Sequence, residues 1–218
     1  MDIQERLTAF AMLGATWVMW LLVGLSVIAV AFIIERTYFY AVTSDHFGKL
    51  LNALLEKLKA GDIEGARKAM ERSRSFEARV ALAGLNSIED GPRSAEERMN
   101  KELILSRLSM ERNLAFLGTV GNNAPFVGLL GTVIGVIRAF HELNESKGQV
   151  SAGLMAEIGE ALVATAIGLL VALPAVAAFN AAQRVIKARL TRAEAMSREV
   201  LAYMKANNKN GASKEVEG

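Results

Sequence analysis

The chain has 218 residues, of which 52% are apolar, and its formal net charge is +2. This near-neutral balance gives no support for nucleic-acid binding, and the absence of cysteine excludes disulfides and thiol chemistry. The two histidines, His46 and His141, are too isolated to suggest a metal site. The polar segments contain no phosphate-binding loop and no nucleophile–base pair, so the sequence predicts a protein that is not an enzyme and uses no cofactor.

Three long stretches of the chain carry no charged residue, namely 7–34, 113–137 and 161–183. Because about 20 apolar residues cross a bilayer, these stretches predict transmembrane helices over 13–34, 113–138 and 153–183. The first stretch could instead be a cleaved signal peptide, but its acidic flank and its length favour a retained helix.

The basic residues are distributed unevenly among the segments outside these helices. Segment 35–112 holds 14 Lys and Arg residues and the tail 184–218 holds eight, whereas 1–12 holds one and 138–159 holds two. Because basic loops stay in the cytoplasm, we expect segment 1–12 and the connection 139–152 to lie outside. The N-terminus would then be periplasmic and the C-terminus cytoplasmic.

The cytoplasmic segment 35–112 is predicted to be helical. Apolar residues recur every three or four positions from Phe47 to Leu58, Gly61 interrupts this helix, and Asp62 is expected to cap the next one.

A longer helix is predicted to begin at Ser94, which forms a capping box with Glu97. No strong stop signal follows before Phe140, so this helix of about 45 residues would run through the membrane and into the cytoplasm.

The third transmembrane helix is predicted to continue into the tail 184–218. Apolar positions from Ile186 to Tyr203 keep a helical spacing and should face a partner helix, in this chain or in a second copy. The last residues, from Asn207, are expected to be disordered. The predicted fold is therefore an all-α integral membrane protein with three transmembrane helices, two of them long and extending into the cytoplasm, and a helical cytoplasmic segment.

The second and third transmembrane helices are joined by a short connection, so we expect an antiparallel hairpin. Thr132 lies six residues before Arg138, and Thr165 lies five residues after Glu160. At about 1.5 Å per residue, the two hydroxyls should lie at similar depth, in the outer half of the membrane, along a polar path. Alternatively, each hydroxyl bonds a carbonyl of its own preceding turn and is only structural.

Small residues surround both threonines, as is typical of closely packed membrane helices or of a surface that receives a partner helix. They are Gly128, Gly131 and Gly135 on the second helix and Ala161, Ala164 and Gly168 on the third.

Three further residues are candidates for function in this hairpin. Glu160 is a carboxylate at the start of an apolar run, where it could belong to the polar path or be an interfacial residue favoured by the helix dipole. Pro125 and Pro174 each remove one helical hydrogen bond, which predicts either a hinge or a static bend.

The two hairpin motifs resemble the MotA/TolQ/ExbB proton channel family, and specifically its three-span TolQ/ExbB branch. The second-helix motif is APFVGLLGTVIGV (124–136), and the third-helix motif is GEALVATAIGLLVALPAVAAFN (159–180). The similarity includes the Glu, the Thr five residues later, the Pro and the final Asn of the third-helix motif.

This resemblance implies a homopentamer in the bacterial inner membrane around a dimer of single-span ExbD/TolR-like partners. An Asp of the partner would carry the proton, facing Thr132 and Thr165, with Glu160 near its path. Proton flow would drive mechanical work on the periplasm or outer membrane, through a TonB/TolA-like or gliding-machinery protein. The uncharged runs contain no Asp of their own, which agrees with a carrier from another chain. The alternative function is a structural membrane scaffold that packs helices without conducting ions.

Overall fold

A computed structural model describes residues 14–216, with side chains described as far as residue 208. This part of the chain is helical and contains no strand, so the predicted all-α fold is confirmed. Its seven helices are α1 (Thr16–Val42), α2 (Phe47–Lys59), α3 (Ile63–Glu71), α4 (Phe76–Leu85), α5 (Pro92–Glu111), α6 (Leu114–Glu145) and α7 (Ala152–Val216). The predicted outer segment 1–12 and the first residue of the span 13–34 lie outside the described residues.

Three of the helices, α1, α6 and α7, are long and apolar enough to cross a membrane. Large apolar side chains cover their outer faces: Trp20 is 71% exposed, Phe126 68% and Leu170 69%. An apolar surface of this kind is unstable in water and suits contact with lipid. The predicted three-span membrane architecture is therefore confirmed.

The chain forms two compact units, and the first consists of the residues up to Glu35 together with Asn113–Ala181. It contains the first part of α1, all of α6 and the first part of α7. Val18 and Leu22 of α1 are fully buried, and Phe32 packs edge-on against Phe116 of α6 with ring centroids 5.2 Å apart. α1 is thus a packed member of this unit.

The second unit consists of Arg36–Arg112 and Ala182–Gly218. Apolar side chains of α2 to α5 and of the last part of α7 form its core. The buried residues include Leu50, Leu54 and Leu58 of α2 and Ala193, Met196 and Val200 of α7. The apolar stripe predicted on the last helix therefore packs within this chain.

Two short helices of the second unit, α3 and α4, begin at side-chain caps, and the cap of α3 at Asp62 is the one expected from the sequence. Asp62 accepts a hydrogen bond from the amide of Gly65 at 2.8 Å, and Ser75 accepts one from the amide of Ala78 at 3.2 Å. The hydrogen bond from the Lys57 ammonium, and secondly the bond from Gly65, lower the pKa of Asp62. Both bonds favour the ionised carboxylate, which is also favoured at a helix N-terminus.

The predicted capping box at Ser94 is wrong, because α5 begins at Pro92. Gly91 is the N-cap residue and has φ +89°, a conformation that glycine adopts without steric strain. Proline is well suited to the first helical position, because its φ is already fixed and no amide hydrogen is needed there. The Gly-Pro pair therefore starts the helix one turn earlier than the capping-box signal.

The predicted continuous helix from Ser94 to Phe140 is also wrong, because α5 ends at Glu111 and α6 begins at Leu114. Asn113 has the left-handed conformation, with φ 62°. Asparagine tolerates this conformation better than most residues, and the carbonyl groups released at the break receive donors from α1.

Those donors belong to the last turns of α1, within the second unit. The Arg36 guanidinium donates to the carbonyl oxygen of Ser109 at 3.2 Å, and the Tyr40 hydroxyl donates to that of Met110 at 2.8 Å. The C-terminal carbonyls of a helix need such partners when they are shielded from water. The break after α5 is therefore stabilised by residues about 70 positions earlier in the chain.

Tyr40→Phe is expected to lower the free energy of unfolding by about 1 kcal/mol, because it removes one hydrogen bond and keeps the ring. Tyr38→Phe is the matched control, since Tyr38 lies two residues earlier and is 70% exposed. Unfolding of the full chain in detergent micelles measures both. Equal effects of the two substitutions would contradict the role given to the Tyr40 hydroxyl.

α7 remains helical as far as Val216, although the sequence predicts disorder from Asn207. Extending a helix that is already packed requires no new nucleus. Polar residues with modest helix propensity can therefore continue it beyond the core.

Candidate functional site

Small residues of α6 and α7 contact one another along the hairpin of the first unit. All six are buried. They are Gly128, Gly131 and Gly135 on α6 and Ala161, Ala164 and Gly168 on α7. The sequence left open whether these faces would receive a partner helix, and the structure packs them against each other.

The two backbones approach most closely where Gly128 faces Gly168. A Cβ atom on Gly168 would lie 2.7 Å from the carbonyl oxygen of Ala124 and 3.0 Å from the Cα of Gly128. A Cβ atom on Gly128 would lie 2.9 Å from the carbonyl oxygen of Ala164. These neighbours are backbone atoms that cannot rotate away, so the close approach requires glycine on both helices.

This packing sets the level of the two candidate threonines. Gly131 contacts Ala164, and these residues directly precede Thr132 and Thr165 in the chain. Each threonine lies one residue beyond this contact, and the two helices run in opposite directions, so the two threonines differ in level by about two residues, or roughly 3 Å. Both residues are half-buried within the first unit.

The two hydroxyls have different hydrogen-bond partners. Thr165 donates to the carbonyl oxygen of Gly128 on the facing helix at 3.0 Å. Thr132 donates to the carbonyl oxygen of Leu129, in its own preceding turn, at 2.6 Å. Thr165 thus links the two helices. Thr132 makes the local bond that a purely structural threonine also makes.

Glu160 lies near the end of the hairpin where α7 begins, and its carboxylate has a partner on α1. The hydroxyl of Thr16 donates to Oε1 of Glu160 at 2.7 Å. Thr16 is the first residue of α1 and lies 144 positions earlier in the chain. The sequence gives no local signal for this contact.

An ion pair lies at the same end of the hairpin. The guanidinium of Arg138 is 2.7 Å from Oε1 of Glu157, and both side chains are largely shielded, at 28% and 19% exposure. Opposite charges at the two ends of a short connection are visible in the sequence, but their pairing is not. We call Thr16, Arg138, Glu157 and Glu160 the polar cap.

Both prolines lie inside helices that continue beyond them, Pro125 in α6 and Pro174 in α7. Two residues before Pro125, the side-chain Nδ2 of Asn123 donates to the carbonyl oxygen of Thr119 at 2.8 Å. Helix packing also continues on this side of the glycine contact, where Gly118 faces Phe179. The hinge and the static bend both remain open as interpretations of the prolines.

No group of three His, Cys, Asp or Glu side chains is arranged to hold a metal ion among residues 14–208. The hairpin thus contains two hydroxyls at nearly one level, a carboxylate that accepts a hydrogen bond from Thr16, and closely packed small residues around them.

These features define a membrane protein with three spanning helices and a polar site within its second and third spans. The model of the MotA/TolQ/ExbB proton channel family matches residues 50–195, which is well over half of the chain. The chain therefore belongs to this family, and the resemblance seen in the two hairpin motifs is confirmed.

Individual relatives carry ExbB and TolQ names. The Biopolymer transport protein ExbB of Neisseria gonorrhoeae is 34% identical over 159 residues, covering 69% of this chain and 69% of that protein. The Tol-Pal system protein TolQ of Pseudomonas aeruginosa is 48% identical over 71 residues, covering 33% of this chain and 31% of that protein.

A third relative, the Putative biopolymer transport protein ExbB-like 2 of Helicobacter pylori, strain ATCC 700392 / 26695, is 41% identical over 73 residues. The match covers 34% of this chain, and the chain spans about half of that relative's length, 49%. Together these similarities support the TolQ/ExbB branch of the family, and they support an inner-membrane protein with several spans.

Proposed function

We propose that this chain is the proton-conducting subunit of an inner-membrane motor that couples the proton motive force to mechanical work on the periplasm or outer membrane. Membership of the proton channel family supports this, as do the ExbB and TolQ names of its relatives. The observation that carries the proposal is the pair of threonines at one level of the α6/α7 hairpin. The proposed coupling ion is the proton, and the proposed activity is transport rather than enzymatic catalysis.

The proposed complex supplies the proton-carrying carboxylate that this hairpin lacks at the level of the two threonines. Hydroxyl groups relay protons but do not hold them at physiological pH, and the uncharged runs contain no Asp. The proposed partner is therefore a dimer of ExbD/TolR-like single-span chains, whose intramembrane Asp carries the proton past Thr132 and Thr165. This chain would surround the dimer as a homo-oligomer, with five copies as the family resemblance implies. A TonB/TolA-like or gliding-machinery protein would receive the movement.

The proposed topology places the N-terminus in the periplasm and the C-terminus in the cytoplasm. The uneven distribution of Lys and Arg supports this orientation. The polar cap would then lie on the periplasmic side of the membrane, where protons enter when they flow down the proton motive force.

Loss of both hydroxyls is expected to abolish proton uptake without preventing assembly. The variant Thr132→Val/Thr165→Val keeps the side-chain volume, and it would replace the native copy in the source organism. Membrane vesicles from these cells retain the natural partners, and a pH-sensitive dye reports proton uptake after a potential is imposed.

Thr119→Val is the matched control for this experiment. Thr119 is also in α6, and its hydroxyl bonds the carbonyl of Ala115 in its own helix at 2.9 Å. We expect this variant to conduct protons as the native chain does. Full proton uptake by the double variant would contradict the proposed function.

One observation favours the alternative function of a structural scaffold, namely the bond of Thr132 to its own preceding turn. A scaffold would tolerate the loss of both hydroxyls. It would still fail on Gly131→Leu, because a leucine side chain would overlap Ala164 on the facing helix. Loss of function in both the threonine double variant and Gly131→Leu would support the proton channel. Loss of function in Gly131→Leu alone would support the scaffold.

A further inference from the structure

The polar cap contains two acidic residues on one face of α7, and they have different partners. Glu157 and Glu160 are three residues apart, so their side chains are neighbours on the helix surface. Glu157 pairs with the cation Arg138 of α6, whereas Glu160 accepts from the neutral hydroxyl of Thr16. The proposed pathway residue therefore lies next to a cation whose charge is balanced by a different carboxylate.

Arg138 contacts the segment before α1 as well as Glu157. Gly14 precedes α1 and has φ +87°, and a Cβ atom there would collide with the guanidinium of Arg138. The arginine therefore lies directly against the glycine backbone, which limits its movement away from the polar cap. The positive charge of an arginine at this position repels protons from its surroundings unless a nearby anion balances it.

We propose that Glu157 is a charge-compensating residue at the periplasmic mouth of the pathway, which neutralises Arg138 so that a proton can reach Glu160. This inference rests on the proposed function. The proposed role depends on the negative charge of Glu157. It does not depend on the ion pair as a contact that holds α6 and α7 together. Removing the Glu157 charge would leave an unbalanced arginine beside the entry point.

The size of the effect follows from Coulomb's law. For an assumed separation of about 8 Å and an effective dielectric constant of about 20, an unbalanced positive charge lowers the local proton occupancy by roughly 30-fold. Proton uptake should fall by a similar factor if entry through this mouth limits the rate. The repulsion should disappear when the arginine charge is removed as well.

The test compares Glu157→Gln, Arg138→Gln and the double variant in native membrane vesicles with a pH-sensitive dye. Glu157→Gln is expected to lower proton uptake at least about tenfold, whereas Arg138→Gln conducts clearly more than Glu157→Gln. The double variant should recover most of the loss. Glu111→Gln breaks the ion pair of Glu111 with Arg107 in α5 and is the matched control with unchanged uptake.

A purely mechanical role for the ion pair makes a different prediction, because all three variants break the same contact. Equal losses in the two single variants and in the double variant would therefore overturn the proposal. Failure of the proposed function is recognised separately, by full uptake in Thr132→Val/Thr165→Val. If those threonines are required and the double charge variant shows no recovery, only the charge compensation by Glu157 is refuted.

Discussion

Gly168→Ala is expected to lower the free energy of unfolding by about 2 kcal/mol, a typical cost of inserting a methyl group into a closely packed contact. The added Cβ would lie 2.7 Å from the carbonyl oxygen of Ala124 and 3.0 Å from the Cα of Gly128. Because these are backbone atoms, relief requires α6 and α7 to move apart. The hydrogen bond from Thr165 to Gly128 would lengthen with them, so we expect proton uptake to fall too.

Gly159→Ala on the same helix is the matched control. No atom lies within 4 Å of a Cβ placed on Gly159, and alanine favours helix over glycine by up to about 1 kcal/mol. The two substitutions should therefore change stability in opposite directions. Titration of the full chain in detergent micelles with a denaturing detergent measures both. A Gly168→Ala variant as stable as Gly159→Ala would contradict the close backbone contact.

The membrane part of this fold can be predicted from the sequence because its signals are local and regular. Uncharged runs of sufficient length identify the spanning helices. The constant rise of an α-helix places Thr132 and Thr165 at one level when residues are counted from the flanking charges. The contact of Gly131 with Ala164 places the two threonines within about 3 Å of one level.

The polar cap could not be predicted in the same way, because it depends on side chains far apart in the sequence. Thr16 and Glu160 are 144 positions apart, and no periodicity or spacing connects them. Arg138 and Glu157 are visible as opposite charges beside a short connection. Their ion pair nevertheless depends on how the last turns of α6 face the first turns of α7.

The break between α5 and α6 has a similar explanation. Asn113 is compatible with a helix and also with the left-handed conformation that it adopts. What favours the break is the supply of donors from α1, since Arg36 and Tyr40 bond the carbonyls of Ser109 and Met110. The sequence of residues 94–140 alone carries no signal of these donors, so its pattern predicts a helix that continues through the break.

Arg189→Ala is expected to be among the most damaging substitutions in the second unit. Arg189 of α7 is buried, with 6% exposure, and its guanidinium donates to the last carbonyls of α1. It bonds the carbonyl oxygen of Tyr40 at 2.7 Å and that of Thr43 at 3.3 Å, and the hydroxyl of Thr43 at 3.0 Å. Alanine would leave these part-buried acceptors without that donor.

The charge of Arg189 also has a partner in the second unit. Burial lowers the pKa of its guanidinium, and the nearby carboxylate of Glu77 acts in the opposite direction. Glu77 is itself buried, with 5% exposure, so removal of the arginine takes away a favourable interaction with this carboxylate. Together with the three lost hydrogen bonds, this should cost about 3 kcal/mol or more.

The measurement is the free energy of unfolding of the full chain in detergent micelles, together with amide hydrogen exchange over residues 36–43. We expect Arg189→Ala to lower stability by about 3 kcal/mol or more and to raise exchange at the end of α1, because the carbonyls there lose the donors that hold the last turn. Arg198→Ala, at an exposed position of the same helix, should change neither quantity. Stability loss without faster exchange at 36–43 would show that Arg189 acts through Glu77 and the core, and not by capping α1.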